Sequence, residues 1–431
     1  MQVYHKSVLY TFLRVCVVNP VINLSLRRFI IRGKENIPKD GAVIIGCNHT
    51  NALLDALVIL RAMNRATIFM TRADIFRKPL LFKTFTLLKM LPIFRLRDGI
   101  AAVKQNEEII GKCVDVLRHR YPLALFPEAT HRPKRSLLPL SKGIFHIALE
   151  ANKEFGHERP VYIVPMGLEY ADYFRYRSTV VATYGEPINI TKFVKQHEGE
   201  ASPARLLAML REELTKRMSG LITYIPDTED YEAQWELAQL RTAQSQPCSP
   251  TERLTLNHAA IKQIIEKKAI EPTDVTATLY ADAITFQKRR LLHGIHPSST
   301  GHKHPLITSI GNTLALLCGL PYYLFSAVTM LPSWLLSILI VSKVKDKAFH
   351  NTARFGVNLI LWLLLVLIWS IVAYCTLPLV PAIAAILLII FAIAFFHDYN
   401  AFARHTWSDW QWTLNKHLHP LLNGLLNRIK D

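Results

Sequence analysis

An imidazole and a carboxylate stand a short reach apart in Asn48-His49-Thr50-Asn51-Ala52-Leu53-Leu54-Asp55. A histidine near pH 7 can take a proton from a hydroxyl when a second group holds its other ring nitrogen in the right tautomer, and Asp55 is placed to do that for His49. The chemistry on offer is general-base activation of an alcohol. His-Asp pairs a few residues apart also serve as plain turn or cap residues, so the weight of this one depends on what the rest of the chain brings to it.

Residues 42–46 read as a buried strand and 52–60 as the start of an apolar helix, which puts the pair in the turn between them. Further apolar strand candidates at 67–70, 123–126, 161–164 and 179–184 alternate with helical stretches. This alternation predicts an α/β domain over 32–225, with a mixed, mainly parallel sheet flanked by helices and its chemistry at the strand ends. Ahead of it, in 1–31, Leu9, Phe12, Leu13, Cys16 and Val17 fall at helical spacing before Pro20, with Arg27 and Arg28 further on. That spacing suits a helix at a membrane surface, or one facing the core of the next domain.

After residue 225 a charged, helix-prone connector runs to 304. Two uncharged runs follow, 306–341 and 355–396, each longer than the roughly 20 residues of one membrane crossing. Pro321 and Pro332 interrupt the first, Pro378 and Pro381 the second. We therefore expect transmembrane helical hairpins over 305–400, four crossings in all, with a re-entrant first pair as the alternative. Basic residues flank both runs (Lys288, Arg289, Arg290; Lys343, Lys345, Lys347, Arg354; Arg404, Lys416), which predicts an integral membrane protein with its catalytic domain on the cytoplasmic face. Residues 401–431, with Trp407, Trp410 and Trp412, read as an amphipathic tail carrying an interfacial aromatic anchor.

The 431 residues can bury more than one core, and a net charge of +18 calls for anionic partners. Nucleic acid is a poor fit: there is no zinc-finger spacing or RNA-binding aromatic signature, and the basic residues flank apolar runs instead of forming one stripe. Anionic lipid and phosphate remain. The six cysteines show no paired spacing, so a metal site or redox couple is not expected, and a reduced compartment is the plain reading. No small-residue cleavage site follows the apolar N-terminus, which is expected to stay on the mature protein. The absence of a Gly-x-Ser-x-Gly elbow speaks against a serine hydrolase.

Three more stretches carry charge next to apolar runs. Leu91-Pro92-Ile93-Phe94-Arg95-Leu96-Arg97 supplies two guanidinium groups suited to bidentate phosphate binding. Leu125-Phe126-Pro127-Glu128-Ala129-Thr130-His131 puts a carboxylate after a central strand, able to accept a hydrogen bond from a substrate hydroxyl, and Arg132, Lys134 and Arg135 follow. Ile163-Val164-Pro165-Met166-Gly167 stiffens a strand end with a proline.

In order and spacing these stretches resemble the glycerolipid acyltransferase family, which includes lysophosphatidic acid and glycerol-3-phosphate acyltransferases. The resemblance covers about 32–187 and rests on Asn48-His49 with Asp55, Pro92-Ile93-Phe94-Arg95, Phe126-Pro127-Glu128-Ala129-Thr130 and Val164-Pro165, with Gly185-Glu186-Pro187 as a weaker mark. It implies His49 as general base and Asp55 as its orienting partner. Arg95, Arg97, Glu128, Thr130 and Arg132 become acceptor-binding residues, and Pro165 part of the acyl-donor region. It further implies no resident cofactor, with acyl-CoA or acyl carrier protein as co-substrate. The expected reaction acylates lysophosphatidic acid to phosphatidic acid.

Three departures bear on the acceptor. Most members have four residues between the histidine and the aspartate; here there are five, as in a glycerol-3-phosphate and dihydroxyacetone-phosphate acyltransferase branch. Ala129 stands where the family has glycine, and His131 where it has arginine. Glycerol-3-phosphate or another lysolipid is thus an alternative acceptor. A non-catalytic membrane scaffold is a remoter reading, disfavoured because a scaffold has no physical need for His49, Asp55 and Glu128 together.

Overall fold

The computed structural model describes residues 3–76, 78–93, 106–199, 202–245, 248–270 and 273–430. They fall into two compact units, Met1–Ile222 with Val344–Phe355, and Thr223–Lys343 with Gly356–Asp431.

The first unit is built on β1 (Arg28–Arg32), β2 (Ala42–Cys47), β3 (Ile68–Arg72), β4 (Met90–Ile93), β5 (Leu123–Leu125), β6 (Val161–Tyr170), β7 (Thr179–Tyr184) and β8 (Ile188–Asn189). The sheet order is β1-β7-β6-β2-β5-β3-β4, with β8 paired to β6. Among the described residues only the β6–β7 and β6–β8 pairings are antiparallel, which makes the sheet mixed and mainly parallel, as expected. β2 lies at the centre and every one of its residues is buried, because helices cover a parallel strand on both faces. On one face Ala42 and Ile44 join Ile144, Phe145 and Ala148 of the helix Gly143–Phe155 and Val114 and Leu117 of the helix Asn106–Arg118.

The sheet begins earlier than the sequence pattern indicates. Arg28-Phe29-Ile30-Ile31-Arg32 pairs in parallel with β7, so residues 28–31 belong to the sheet and not to a surface helix. The N-terminal helix ends at Ser25; Val21 and Ile22 are buried, whereas Val8, Leu9 and Phe12 are exposed. β6 runs past the expected end at Val164 to Tyr170. It can do so because its edge changes partner at Pro165, from β8 at Tyr162 and Ile163 to β7 from Met166 onward.

In the second unit the helices Tyr231–Ala243, Pro250–Ile270, Thr273–Leu292 and His419–Lys430 share a core that includes Leu237, Leu240, Ile261, Phe286 and Leu425. Inside it Arg290 grips Glu236 with two bonds, Nε to Oε1 at 2.8 Å and Nη2 to Oε2 at 2.6 Å, while Nη1 donates to the Ile295 carbonyl at 2.6 Å. Both side chains are buried. Removing one partner strands the other charge, so Arg290→Ala should destabilise the protein by about 3–5 kcal/mol, read as a lowered thermal unfolding midpoint in detergent.

Among the described residues, four helices are long and apolar enough to cross a membrane: Val8–Ser25, Pro305–Lys343, Lys347–Thr376 and Leu379–Leu414. The first apolar run is not the expected hairpin. Pro305–Lys343 is one helix that contains Pro321 and Pro332, each of which removes a single backbone donor without ending it. The second run does turn, at Leu377-Pro378, between His350–Thr376 and Leu379–Leu414. Apart from Met330, the buried residues of Pro305–Lys343 have small side chains, namely Ser309, Ser326, Thr329, Ser333 and Ser337, a composition that lets apolar helices approach closely. The tryptophans expected as an interfacial anchor divide. Trp407 is exposed, whereas Trp412 is buried against His419 and Trp410 donates from Nε1 to Thr313 Oγ1 at 2.9 Å. The fully buried Asp409 is met by His302 at 3.0 Å and Asn312 at 2.9 Å.

Candidate active site

Three parallel strand ends build the site. Gly46 of β2 is in register with Leu125 of β5, so three residues further along each chain His49 and Glu128 arrive side by side. On the other side of β2, Cys47 pairs with Met166 of β6. Asn48 then prolongs that ladder with its side chain: its Nδ2 donates to the Leu168 carbonyl at 3.0 Å, and the Leu168 amide donates to its Oδ1 at 2.7 Å. The turn carrying His49 is thus pinned to both neighbouring strands before its side chain does anything.

His49 Nδ1 lies 2.9 Å from Asp55 Oδ2. The same carboxylate oxygen accepts the Thr50 and Asn51 amides, both at 2.7 Å, and Oδ1 accepts the Tyr170 hydroxyl at 2.7 Å. Asp55 sits in the first turn of the helix Leu53–Met63, where exposed amides favour a carboxylate, and it is fully buried. The five intervening residues are accommodated by Ala52, whose φ of 47° lies in the left-handed region, a strain on the order of 1–3 kcal/mol for a residue with a Cβ. The imidazole stacks on Phe126 with ring centres 4.0 Å apart, which fixes its plane as Asp55 fixes its tautomer.

Glu128 Oε1 accepts the His49 amide at 3.0 Å and Oε2 the Leu138 amide at 2.9 Å. The buried carboxylate thus clamps the His49 turn to the loop after β5. Burial pushes its pKa up, partly offset by those two amides and by the His49 and Arg132 charges. A carboxyl raised in the folded state contributes stability that is present below its ordinary pKa and is lost as pH rises through the raised value. Glu128→Gln keeps the size but sets an amide donor against one of the two backbone donors. It should lower stability by about 1–3 kcal/mol and reduce any activity that depends on His49, read as unfolding midpoint and initial rate.

The loop after β5 places the remaining expected residues. Ala129 has φ 57°, a conformation glycine adopts freely, and its amide donates to the Phe126 carbonyl at 3.1 Å. Thr130 is exposed. The Arg132 amide donates to the His49 carbonyl at 3.0 Å and its guanidinium to Ser136 Oγ at 2.7 Å. Arg135 is buried, with Nη2 on the Tyr170 carbonyl at 3.0 Å. Pro165 is buried within β6, in register with Gly46. Arg95 and Arg97 lie outside the described residues; β4, which leads to them, points its C-terminal end along the same sheet edge.

Two neighbours of His49 were not read from the sequence as site residues. Tyr170 stays a donor to Asp55, because burial and then the Asp55 charge and hydrogen bond push its pKa well up. Phe126 gave no signal beyond its place in the motif. Cys47, two residues before His49, is fully buried; burial, then the Asp55 and Glu128 charges, raise its thiol pKa well above the ordinary range. It is held as a thiol and is no candidate nucleophile.

Among known proteins, the family model described as Acyltransferase matches residues 28–169. The 1-acyl-sn-glycerol-3-phosphate acyltransferase of Borreliella burgdorferi is 24% identical over 200 residues, 45% of this chain and 73% of that one. Glycerol-3-phosphate O-acyltransferase 2 of Saccharomyces cerevisiae is 29% identical over 123 residues, 28% of this chain and only 16% of the yeast protein. The crystal structure of the 1-acyl-sn-glycerophosphate (LPA) acyltransferase of Thermotoga maritima aligns with 48% of this chain and 80% of its own, at 20% identity and a TM-score of 0.34. The motif-bearing strand ends lie inside the matched segment, so residues 28–169 form an Acyltransferase domain similar to those of glycerolipid acyltransferases.

Proposed function

We propose that this protein is a membrane-bound acyltransferase that moves a fatty acyl chain from acyl-CoA or acyl carrier protein to the hydroxyl of lysophosphatidic acid, giving phosphatidic acid. The observation that carries the reading is the His49–Asp55 pair, held by a buried carboxylate with four donors. Asp55 holds Nδ1, which leaves Nε2 to take the proton as the hydroxyl oxygen attacks the thioester carbonyl. The carbon–sulfur bond then breaks, and the proton passes from the imidazolium to the departing thiolate. Asp55 stabilises the imidazolium in between, and no covalent acyl-enzyme is required.

Glycerol-3-phosphate is the second acceptor to weigh, because two yeast relatives are named glycerol-3-phosphate O-acyltransferases and the five-residue spacing points the same way. The basic residues Lys345, Lys347 and Arg354, which lie in the first unit, support placing the catalytic domain on the cytoplasmic face. The test is transfer by the purified full chain, with labelled lysophosphatidic acid, glycerol-3-phosphate and a phosphate-free lysolipid as acceptors and both donors in parallel. Preferred acylation of lysophosphatidic acid supports the proposal. Preference for glycerol-3-phosphate moves the acceptor, and no transfer to any glycerolipid ends the reading.

A further inference from the structure

Val344–Phe355 follows one long apolar helix and takes in the start of the next, yet it belongs to the same unit as His49. Asn351 Nδ2 donates to the Tyr173 carbonyl at 2.8 Å and Arg354 Nη1 to the Phe174 carbonyl at 3.2 Å, which seats the segment beside the site. From it Asp346 Oδ2 comes within 2.8 Å of His131 Nε2, and the Phe349 ring packs edge-on against the His131 ring at 4.8 Å. The other side of His131 meets His49, with ring centres 5.5 Å apart at 75°.

Asp346 is aimed at this contact. Its Oδ1 accepts the Ala348 amide at 2.9 Å, capping the turn Lys347–Phe349 and leaving Oδ2 for His131. Burial pushes its carboxyl up, but the His131 hydrogen bond, the Ala348 amide and the His131 and His350 charges outweigh it and hold the pKa below the ordinary range. An ionised carboxylate only accepts, so the proton between the two groups belongs to His131 Nε2, and Nδ1 is the nitrogen left for a ligand.

We infer that His131 and Asp346 form a second imidazole–carboxylate pair that binds an oxygen of the acceptor's glycerol portion beside the hydroxyl activated by His49, with Asp346 as a positioning residue. This rests on the acyltransferase reading above. Arginine offers only donors and a permanent positive charge, which suits phosphate. His131 paired with Asp346 offers one nitrogen, an acceptor when the ring is neutral and a donor when it is charged, and brings no net positive charge. That matches a hydroxyl or ester oxygen. With hydrogen bonds of about 3 Å, two imidazoles at this separation can engage neighbouring oxygens of one glycerol.

The test uses the full chain in membranes, with lysophosphatidic acid and acyl-CoA as substrates. Asp346→Ser keeps a hydroxyl to cap Ala348 but is too short to reach His131. It and His131→Ala should each raise the acceptor KM about tenfold and leave the donor KM unchanged. The double variant should be no worse than His131→Ala alone, because Asp346 acts through His131. An unchanged acceptor KM in Asp346→Ser, fully additive penalties, or an equal rise in donor KM overturns the inference while the acyltransferase reading stands. A parent protein that acylates no glycerolipid removes both.

Discussion

His49→Ala should reduce acyl transfer by roughly 10²–10⁴-fold, the usual worth of a positioned general base, and to background if no water replaces the imidazole. The fold should survive. The His49 side chain is 17% exposed, and its loss removes a stacking partner of Phe126 and one of the donors to Asp55. The Thr50 and Asn51 amides and the Tyr170 hydroxyl still satisfy the carboxylate, so no buried group is orphaned. Initial rates should therefore collapse while the thermal unfolding midpoint stays near that of the parent. Rates within a few fold of the parent would remove His49 from the chemistry.

Asp55→Asn should cost on the order of 10⁴-fold in rate with little loss of structure. Three of the four donors converge on Oδ2 and only Tyr170 uses Oδ1. An asparagine with its carbonyl in the Oδ2 place keeps the bonds to Thr50, Asn51 and His49, and its amino group can donate to the Tyr170 hydroxyl once that rotates. What is lost is the negative charge that stabilises the imidazolium during transfer. Asp55→Ala is a different experiment: it strands two buried amides and a buried hydroxyl, each costing about 1–3 kcal/mol, and should unfold the domain. Comparing the two by rate and unfolding midpoint separates the charge from the scaffold. An asparagine variant with parental rates would show that the charge is not used.

The sequence by itself determined the strand–turn–helix around His49, the alternation that makes a mainly parallel sheet, the charged end of β5 and the two apolar runs. All of these are local: a strand shows as a short apolar run and a helix as a 3.6-residue rhythm. Thr179–Tyr184 was legible to the residue, and β2 to within one, because each is an apolar run bounded by turn residues. β1 was not, since its Arg-Phe-Ile-Ile-Arg pattern becomes a strand only by pairing with β7, some 150 residues away in the chain. The prolines in Pro305–Lys343 misled for a related reason: a proline removes one backbone bond, and whether the helix ends there depends on its packing.

At the site the division is sharper. His49, Asp55 and Glu128 could be picked from residue types and spacing, but what each carboxylate does was decided by the tertiary structure. Glu128 meets the His49 amide across 79 residues, Tyr170 reaches Asp55 across 115, and Asp346 reaches His131 across 215. Periodicity carries no trace of separations that long: the first two are created when parallel strands bring their ends to one edge of the sheet, and the third by the segment Val344–Phe355. The sequence therefore named the candidate base, and folding selected the groups that hold it and the second imidazole beside it.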